Sequence, residues 1–253
     1  MKAHLSEQRT QNVLIVVAKQ PAAGATKTRL SPPLSPEQAS SLYECFLLDT
    51  LDLVRKVQGI RPAIAYLPEG ASDYFAGLAP DFDLLLQSGR DLGERLDHAL
   101  SHYLNADYRS AVIMDSDSPT LPANCLSAAF TLLNSSSDVV IGPCEDGGYY
   151  LIGMKKPHPR LLREVRMSTP RVTTDTLAVA AEEGLQVGML PTWYDVDNHL
   201  SLQRLYTELS RAPAELARNT RCALHQPAMQ GLLSLPGSPA ALPNPQRKSP
   251  SSP

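Results

Sequence analysis

The chain has 253 residues, room for one large α/β domain or two small ones, and its 43% apolar and 19% charged residues supply a substantial core. A net charge of -3 and a pI near 6.1 give no bulk attraction to nucleic acid or acidic membranes. No stretch reaches the ~18 apolar residues of a membrane helix, so no integral membrane segment is expected.

The opening MKAHLSEQRTQN is polar and lacks the apolar segment of a secretory signal. Cys45, Cys125, Cys144 and Cys222 are widely spaced with no CxxC pair, and a cytoplasmic home is expected. NVLIVVA (12–18) is a continuous β-branched run, as suits a strand buried on both faces of a parallel sheet. A basic loop follows, AKQPAAGATKTRL (18–30). Ser35 then reads as a helix cap, with Pro36 at the first helical position and Gln38 completing a capping box. Ala39, Leu42, Tyr43, Phe46 and Leu47 continue at helical spacing. PAIAYLP (62–68) and FDLLLQ (82–87) are the next strands, and the second runs through SGRDLGERL into a helix. SAVIMDS (110–116) is the fourth strand, followed by a helix from about Pro122 to Leu133. DVVIGP (138–143) and GYYLIGM (148–154) leave no room for a helix between them, which predicts an irregular or antiparallel insertion. STPRVTTDTLAVAAEEG (168–184) has a Ser/Thr cap, an early proline and a closing glycine, and is expected to be helical. LQVGMLP (185–191) is the last strand, and Asn198 caps a final helix. Strands alternating with helices predict a single α/β domain over 12–232, with a doubly wound, mainly parallel sheet. LPGSPAALPNPQRKSPSSP (235–253) has six prolines in 19 residues and is expected to be a disordered tail.

In such a sheet ligands bind beyond the C-terminal strand ends, and the unusual residues of this sequence fall there. Fifteen aspartates give about one Asp-x-Asp by chance, yet there are three. DFD (81–83) precedes a strand and reads as a solvated strand start. DSD (115–117) ends a strand, and DVD (195–197) precedes a helix. Two aspartates from separate strand ends could hold Mg²⁺ over a diphosphate, and they could equally cap turns. In the first loop Gly24 lets backbone N–H groups approach an anion, and Lys19, Lys27 and Arg29 add positive charge. The segment QSGRDLGERL (87–96) offers backbone groups to a nucleobase, with Asp91 as helix cap the plainer reading. GPCEDGGYYLIGM (142–154) reads as a tight turn, and also as a place for a general base beside a tyrosine platform.

Together AKQPAAGATKTRL, QSGRDLGERL, DSDSPTLP, DVVIGPCEDGGYYLIGM, MSTPRVTTDTL and DVDN resemble a bacterial glycosyltransferase-like family related to archaeal 2-phospholactate guanylyltransferase. Its members are often labelled arsenosugar-biosynthesis or selenodomain-associated transferases. The resemblance covers roughly residues 12 to 206 and implies a GT-A, or nucleotide-diphospho-sugar transferase, fold. It also implies a divalent cation (Mg²⁺ or Mn²⁺), a nucleotide-sugar donor and a small-molecule acceptor. By that resemblance Lys19, Gly24, Lys27, Thr28 and Arg29 belong to a phosphate loop, and Gln87, Gly89, Asp91 and Gly93 lie near the base. Asp117 and Asp197 hold the metal. Asp146 is the base of an inverting transfer, with Gly147, Gly148 and Tyr149 beside it at the substrate. Lys27 and Arg29 offset the charge of the leaving group. Three positions depart from the family pattern. Asp115 is an extra carboxylate, a ribose or water contact or a turn residue. Met167 stands where relatives often carry Trp, and His199 where they often carry an acid. The expected activity is a metal-dependent glycosyl transfer. A nucleotidyltransferase that releases pyrophosphate and a non-catalytic nucleotide-sugar-binding module are the alternatives.

Overall fold

The computed structural model of the protein describes residues 11–233, so the expected proline-rich tail lies outside the described residues. The elements in order are β1 (Asn12–Lys19), α1 (Pro36–Arg55), β2 (Ile60–Leu67), α2 (Ser72–Leu78), β3 (Asp83–Leu86), α3 (Leu92–Asn105), β4 (Ser110–Met114), α4 (Ala123–Asn134) and β5 (Val139–Pro143). They continue with β6 (Tyr149–Met154), α5 (Arg160–Arg163), α6 (Val172–Glu182), β7 (Val187–Met189), α7 (His199–Arg211), α8 (Arg218–Leu224) and α9 (Pro227–Leu233). The strands form one seven-stranded sheet in the order β3-β2-β1-β4-β6-β5-β7. All pairings are parallel except those of β6, which runs antiparallel between β4 and β5. The insertion expected at 138–154 is therefore a hairpin whose second strand enters the middle of the sheet.

Both faces of the sheet are covered, which explains the unbroken apolar runs. Leu14, Val16, Val112 and Met114 point to one face and pack with Leu47 and Leu51 of α1 and Leu126 of α4. Val13, Ile15, Ala111 and Ile113 point to the other and meet Leu96 and Leu100 of α3 and Ala180 of α6. Each such side chain contributes roughly 1.5–3 kcal/mol by leaving water. A third cluster ties Leu30 of the first loop and Phe46 of α1 to Val196 and to Leu202 and Leu205 of α7.

Helix starts follow their capping residues. Ser35 caps α1 with a complete capping box, and Asn198 caps α7 with Ser201 closing the reciprocal bond. Each cap contributes about 1 kcal/mol. The helix expected over 168–184 starts only at Val172. Ser168 is left-handed (φ 59), and the Thr169 hydroxyl donates to the Arg166 carbonyl while accepting from Arg171 N–H (3.4 Å), which forms a local turn ahead of the helix. Met167–Arg171 is consequently an irregular strap. Gly184 (φ 68) follows the helix as the closing glycine. Asp81 and Asp83 pair at the surface with Arg55 and Arg61, as a solvated strand start should. No helix among the described residues is long and apolar enough to cross a membrane.

Candidate functional site

The strand order reverses between β1 and β4: the chain moves outward through β2 and β3, then returns to the far side of β1. Ligands of doubly wound sheets bind at such a point. Here it opens into a cavity of about 750 Å³ lined by the first loop and the ends of β4 and β6.

The first loop reaches the cavity in two locked pieces. Thr26 is buried, and its hydroxyl donates to the Ala22 carbonyl (3.1 Å), which closes residues 22–26 into a turn. Lys27 is then left-handed (φ 49, ψ 40), and a single 3-10 turn carries Leu30 into the third cluster. The left-handed step drives the Lys27 side chain inward, where it is 5% exposed. Its Nζ lies 3.0 Å from Asp117 Oδ2 and 2.6 Å from Asp197 Oδ1. Burial works against this charge, yet the two carboxylates hold the ammonium above the usual lysine range. Burial likewise opposes ionisation of Asp197, and Lys27 with Arg29 outweighs it, so this carboxyl sits below its usual range. Arg29 Nη1 reaches Asp197 Oδ2 at 3.4 Å from a largely exposed position.

The backbone brings the two aspartates together. Val196 N–H donates to the Asp117 carbonyl (3.0 Å), so DVD runs beside DSD. Ser116 joins β4 to β1: its hydroxyl donates to the Val17 carbonyl (3.0 Å). Because serine has one hydroxyl proton, Tyr43 must donate to Ser116 Oγ (3.0 Å) while its own oxygen accepts from Lys19 N–H (3.1 Å). Burial, then the Asp117 charge, pushes the Tyr43 phenol up to about 12, so it stays a hydroxyl. The two carboxylates of DSD divide. Asp115 Oδ1 accepts from Asp117 N–H (3.2 Å), while Ser118 spends its one hydroxyl proton on the Tyr194 carbonyl (3.1 Å) with its oxygen 3.4 Å from Asp115 Oδ2. Burial and the neighbouring Asp117 push Asp115 well above the carboxylate range. Asp117 keeps one oxygen, Oδ1, buried with no hydrogen-bond partner.

Asp146 approaches from the β5–β6 turn. Cys144 N–H donates to the Gly148 carbonyl (2.9 Å), Gly148 N–H donates to Asp146 Oδ1 (2.8 Å), and Asp146 lines the cavity. Gly147 (φ 92) lies where a Cβ would meet the Pro170 carbonyl oxygen at 2.0 Å, so the strap can rest against this turn only over a glycine. Tyr149 lines the cavity, and its hydroxyl donates to Met167 Sδ (3.6 Å).

Of the residues expected at the site, the cavity is lined by Lys19, Lys27, Thr28, Arg29, Gln87 and Asp115, and also by Asp117, Asp146, Gly148, Tyr149 and Asp197. Gly24, Gly89, Asp91, Gly93 and Gly147 lie outside its lining. Asp91 caps α3 by accepting from Glu94 N–H (2.9 Å), and a Cβ on Gly93 would meet the Leu162 carbonyl oxygen at 2.1 Å. Gln87 donates to the Ala65 carbonyl (2.8 Å) and so holds the ends of β2 and β3. Three residues shape the site without having been singled out in the sequence. Tyr43 looks like core at helical spacing. Thr26 sits unremarked between Ala25 and Lys27. Asp195 was half of a recognised pair, and it lies with Cys144 and Asp146 in a group whose ligand atoms are all within 4.8 Å of one another.

This is the nucleotide-diphospho-sugar transferase fold, with paired carboxylates and a basic loop at its switch point. The chain belongs to that family. The crystal structure of a protein from Desulfovibrio desulfuricans G20, provisionally named a nucleotide-diphospho-sugar transferase, is 30% identical with a TM-score of 0.80, over 88% of this chain and 96% of that one. Residues 50–169 match the family described as "Uncharacterized protein conserved in bacteria (DUF2064)". CMP:2-keto-3-deoxy-manno-octonic acid synthetase complexed with CTP shares the fold at 9% identity, TM-score 0.54, over 79% of this chain and 99% of that one. So does 4-diphosphocytidyl-2C-methyl-D-erythritol synthase from Anaerococcus prevotii DSM 20548, at 11% identity, TM-score 0.54, over 81% and 99%. No curated protein matches the sequence.

Proposed function

We propose that the protein is a metal-dependent glycosyltransferase that moves a sugar from a nucleotide-diphosphate donor to a small acceptor. The observation that carries this reading is the convergence of Asp117, after β4, and Asp197, before the cap of α7, on the Lys27 ammonium within one cavity that Asp146 also lines. The residues fit a hard divalent cation. Asp117 Oδ1 is a buried oxygen without a partner, and the carboxylates around it offer oxygen donors suited to Mg²⁺ or Mn²⁺. Asp117 through Oδ1 and Asp197 would hold the ion, which when bound neutralises charge on a diphosphate. Lys27 bridges the two carboxylates and leaves a fixed positive charge at the same corner. Arg29, exposed and forked, grips a phosphate oxygen pair. Asp146, oriented by Gly148 N–H, takes the acceptor hydroxyl proton in an inverting transfer.

A second reading, nucleotidyl transfer of the phospholactate-guanylyltransferase kind, draws on Lys19, Lys27 and Arg29 lining one cavity, since a triphosphate carries more charge than a diphosphate. Purified protein given a panel of nucleotide sugars and nucleoside triphosphates with Mg²⁺ or Mn²⁺ separates the two. Release of nucleoside diphosphate supports glycosyl transfer, and release of pyrophosphate supports nucleotidyl transfer. Binding without turnover, even with cell extract as acceptor, leaves a binding module. Asp117→Asn should weaken Mn²⁺ binding, read by electron paramagnetic resonance, by about tenfold or more; wild-type affinity would remove Asp117 from the metal.

A further inference from the structure

We infer that Arg95 anchors a second anionic group in this cavity, a carboxylate or phosphate carried by the acceptor, on the lip opposite the Lys27–Asp197 pair. The assignment of that group to an acceptor rests on the transferase reading. Arg95 projects from the first turn of α3 and lines the cavity. Its Nε is buried and has no hydrogen-bond partner among the described residues. The acids on its own helix are engaged elsewhere. Asp91 caps the helix, Glu94 is taken by Arg90, and Asp97 is taken by Arg163 and Ser101. Leu92, Leu96 and Met167 line the same cavity, and no ion pair or hydrogen bond ties Arg95 to its aspartates among the described residues.

A guanidinium with a buried, unanswered N–H is costly to keep unless an acceptor reaches it. Its planar fork fits a two-oxygen anion. Geometry separates this position from the diphosphate corner. Leu96 of α3 packs on the sheet face formed by Val13 and Ile15. Tyr43 and the segment around Asp197 belong with α1, whose Leu47 and Leu51 pack on the face formed by Leu14 and Val16. The two cationic positions therefore face each other across the C-terminal edge of the sheet. A donor diphosphate held at one lip leaves the other for a different charged group.

The test uses the full chain and nuclear magnetic resonance of arginine Nε–H groups, with the Arg95 signal assigned by its loss in Arg95→Lys. Inorganic phosphate and acetate are titrated separately, each with and without UDP, CDP, GDP or ADP and Mg²⁺. The expected result is a saturable shift of the Arg95 signal by one anion or both, at an affinity on the order of 1 mM, persisting when nucleotide is bound. The responding anion distinguishes phosphate from carboxylate. Arg95→Gln should weaken that anion by about tenfold while nucleotide affinity stays as in wild type. A signal that neither anion moves overturns the inference. So does a signal that nucleotide alone moves and phosphate then fails to move, because Arg95 would then serve the donor. A response to phosphate in protein that binds no nucleotide upholds the anion site and overturns the transferase reading.

Discussion

A left-handed lysine costs about 1 kcal/mol of backbone strain, and Lys27 shows what that strain secures. Its ammonium bridges two carboxylates from distant parts of the chain, and it holds that of Asp197 below its usual range. Lys27→Met should therefore destabilise the fold by about 2–3 kcal/mol. That is the low end for a broken buried pair, because both aspartates keep about a third of their surface in water. Urea unfolding measures the loss, and an unchanged midpoint would show that the pair contributes nothing to stability. On the proposed function turnover should fall with it, since the fixed positive charge that Lys27 would offer a donor diphosphate is gone. This residue also marks a limit of sequence reading. Its basic character and loop were legible. The ion pairs were not, because they join positions 27, 117 and 197, and no local pattern encodes contacts of that range.

At the scale of elements, the site depends on how the β5–β6 turn meets the strap at 167–171. The turn was legible because Glu-Asp-Gly-Gly is what a tight reversal needs. The strap was not, because Ser-Thr-Pro imitates a helix start and only the packing against Gly147 decides otherwise. That contact makes a paired prediction. Gly147→Ala places a methyl group 2.0 Å from the Pro170 oxygen at φ 92, and should cost about 3 kcal/mol. Gly24→Ala has a comparable φ of 74 but nothing within 4 Å, and should cost only about 1 kcal/mol. Thermal unfolding of the two variants tests the difference. Equal losses would mean that backbone conformation, and not the strap, fixes the glycine.

The whole molecule was the most legible level, since alternating strands and helices with fully apolar runs allow few arrangements besides a doubly wound sheet. What they leave open is the strand order, and it is the placement of β6 between β4 and β5 that brings Asp146 to the switch point. The same assembly sets the response to acid. Asp81, Glu94, Asp138 and Glu164 are held below their usual range, chiefly by Arg55, Arg90, the Gln186 N–H and Arg160 respectively. Their stabilisation is present above the unfolded carboxylate pKa and is lost as pH falls through the folded values, about 2 for Glu94. Asp195 works the other way. Burial, then Asp197, pushes its carboxyl up to about 6 from an ordinary value of 3.8. Between those values the folded state holds a proton that the unfolded chain has released, so stability rises as pH falls from about 6 toward 4. Urea midpoints measured in a chelator should thus pass through a maximum between these two pH values and collapse below it. Asp115, raised by burial and Asp117, acts in the same direction, so Asp195→Asn, whose side chain does not titrate, should reduce the rise and leave the acid collapse in place. A wild-type midpoint that falls steadily from neutral pH would show that Asp195 is ionised in the folded protein, and that the acidic corner is wetter than its packing indicates.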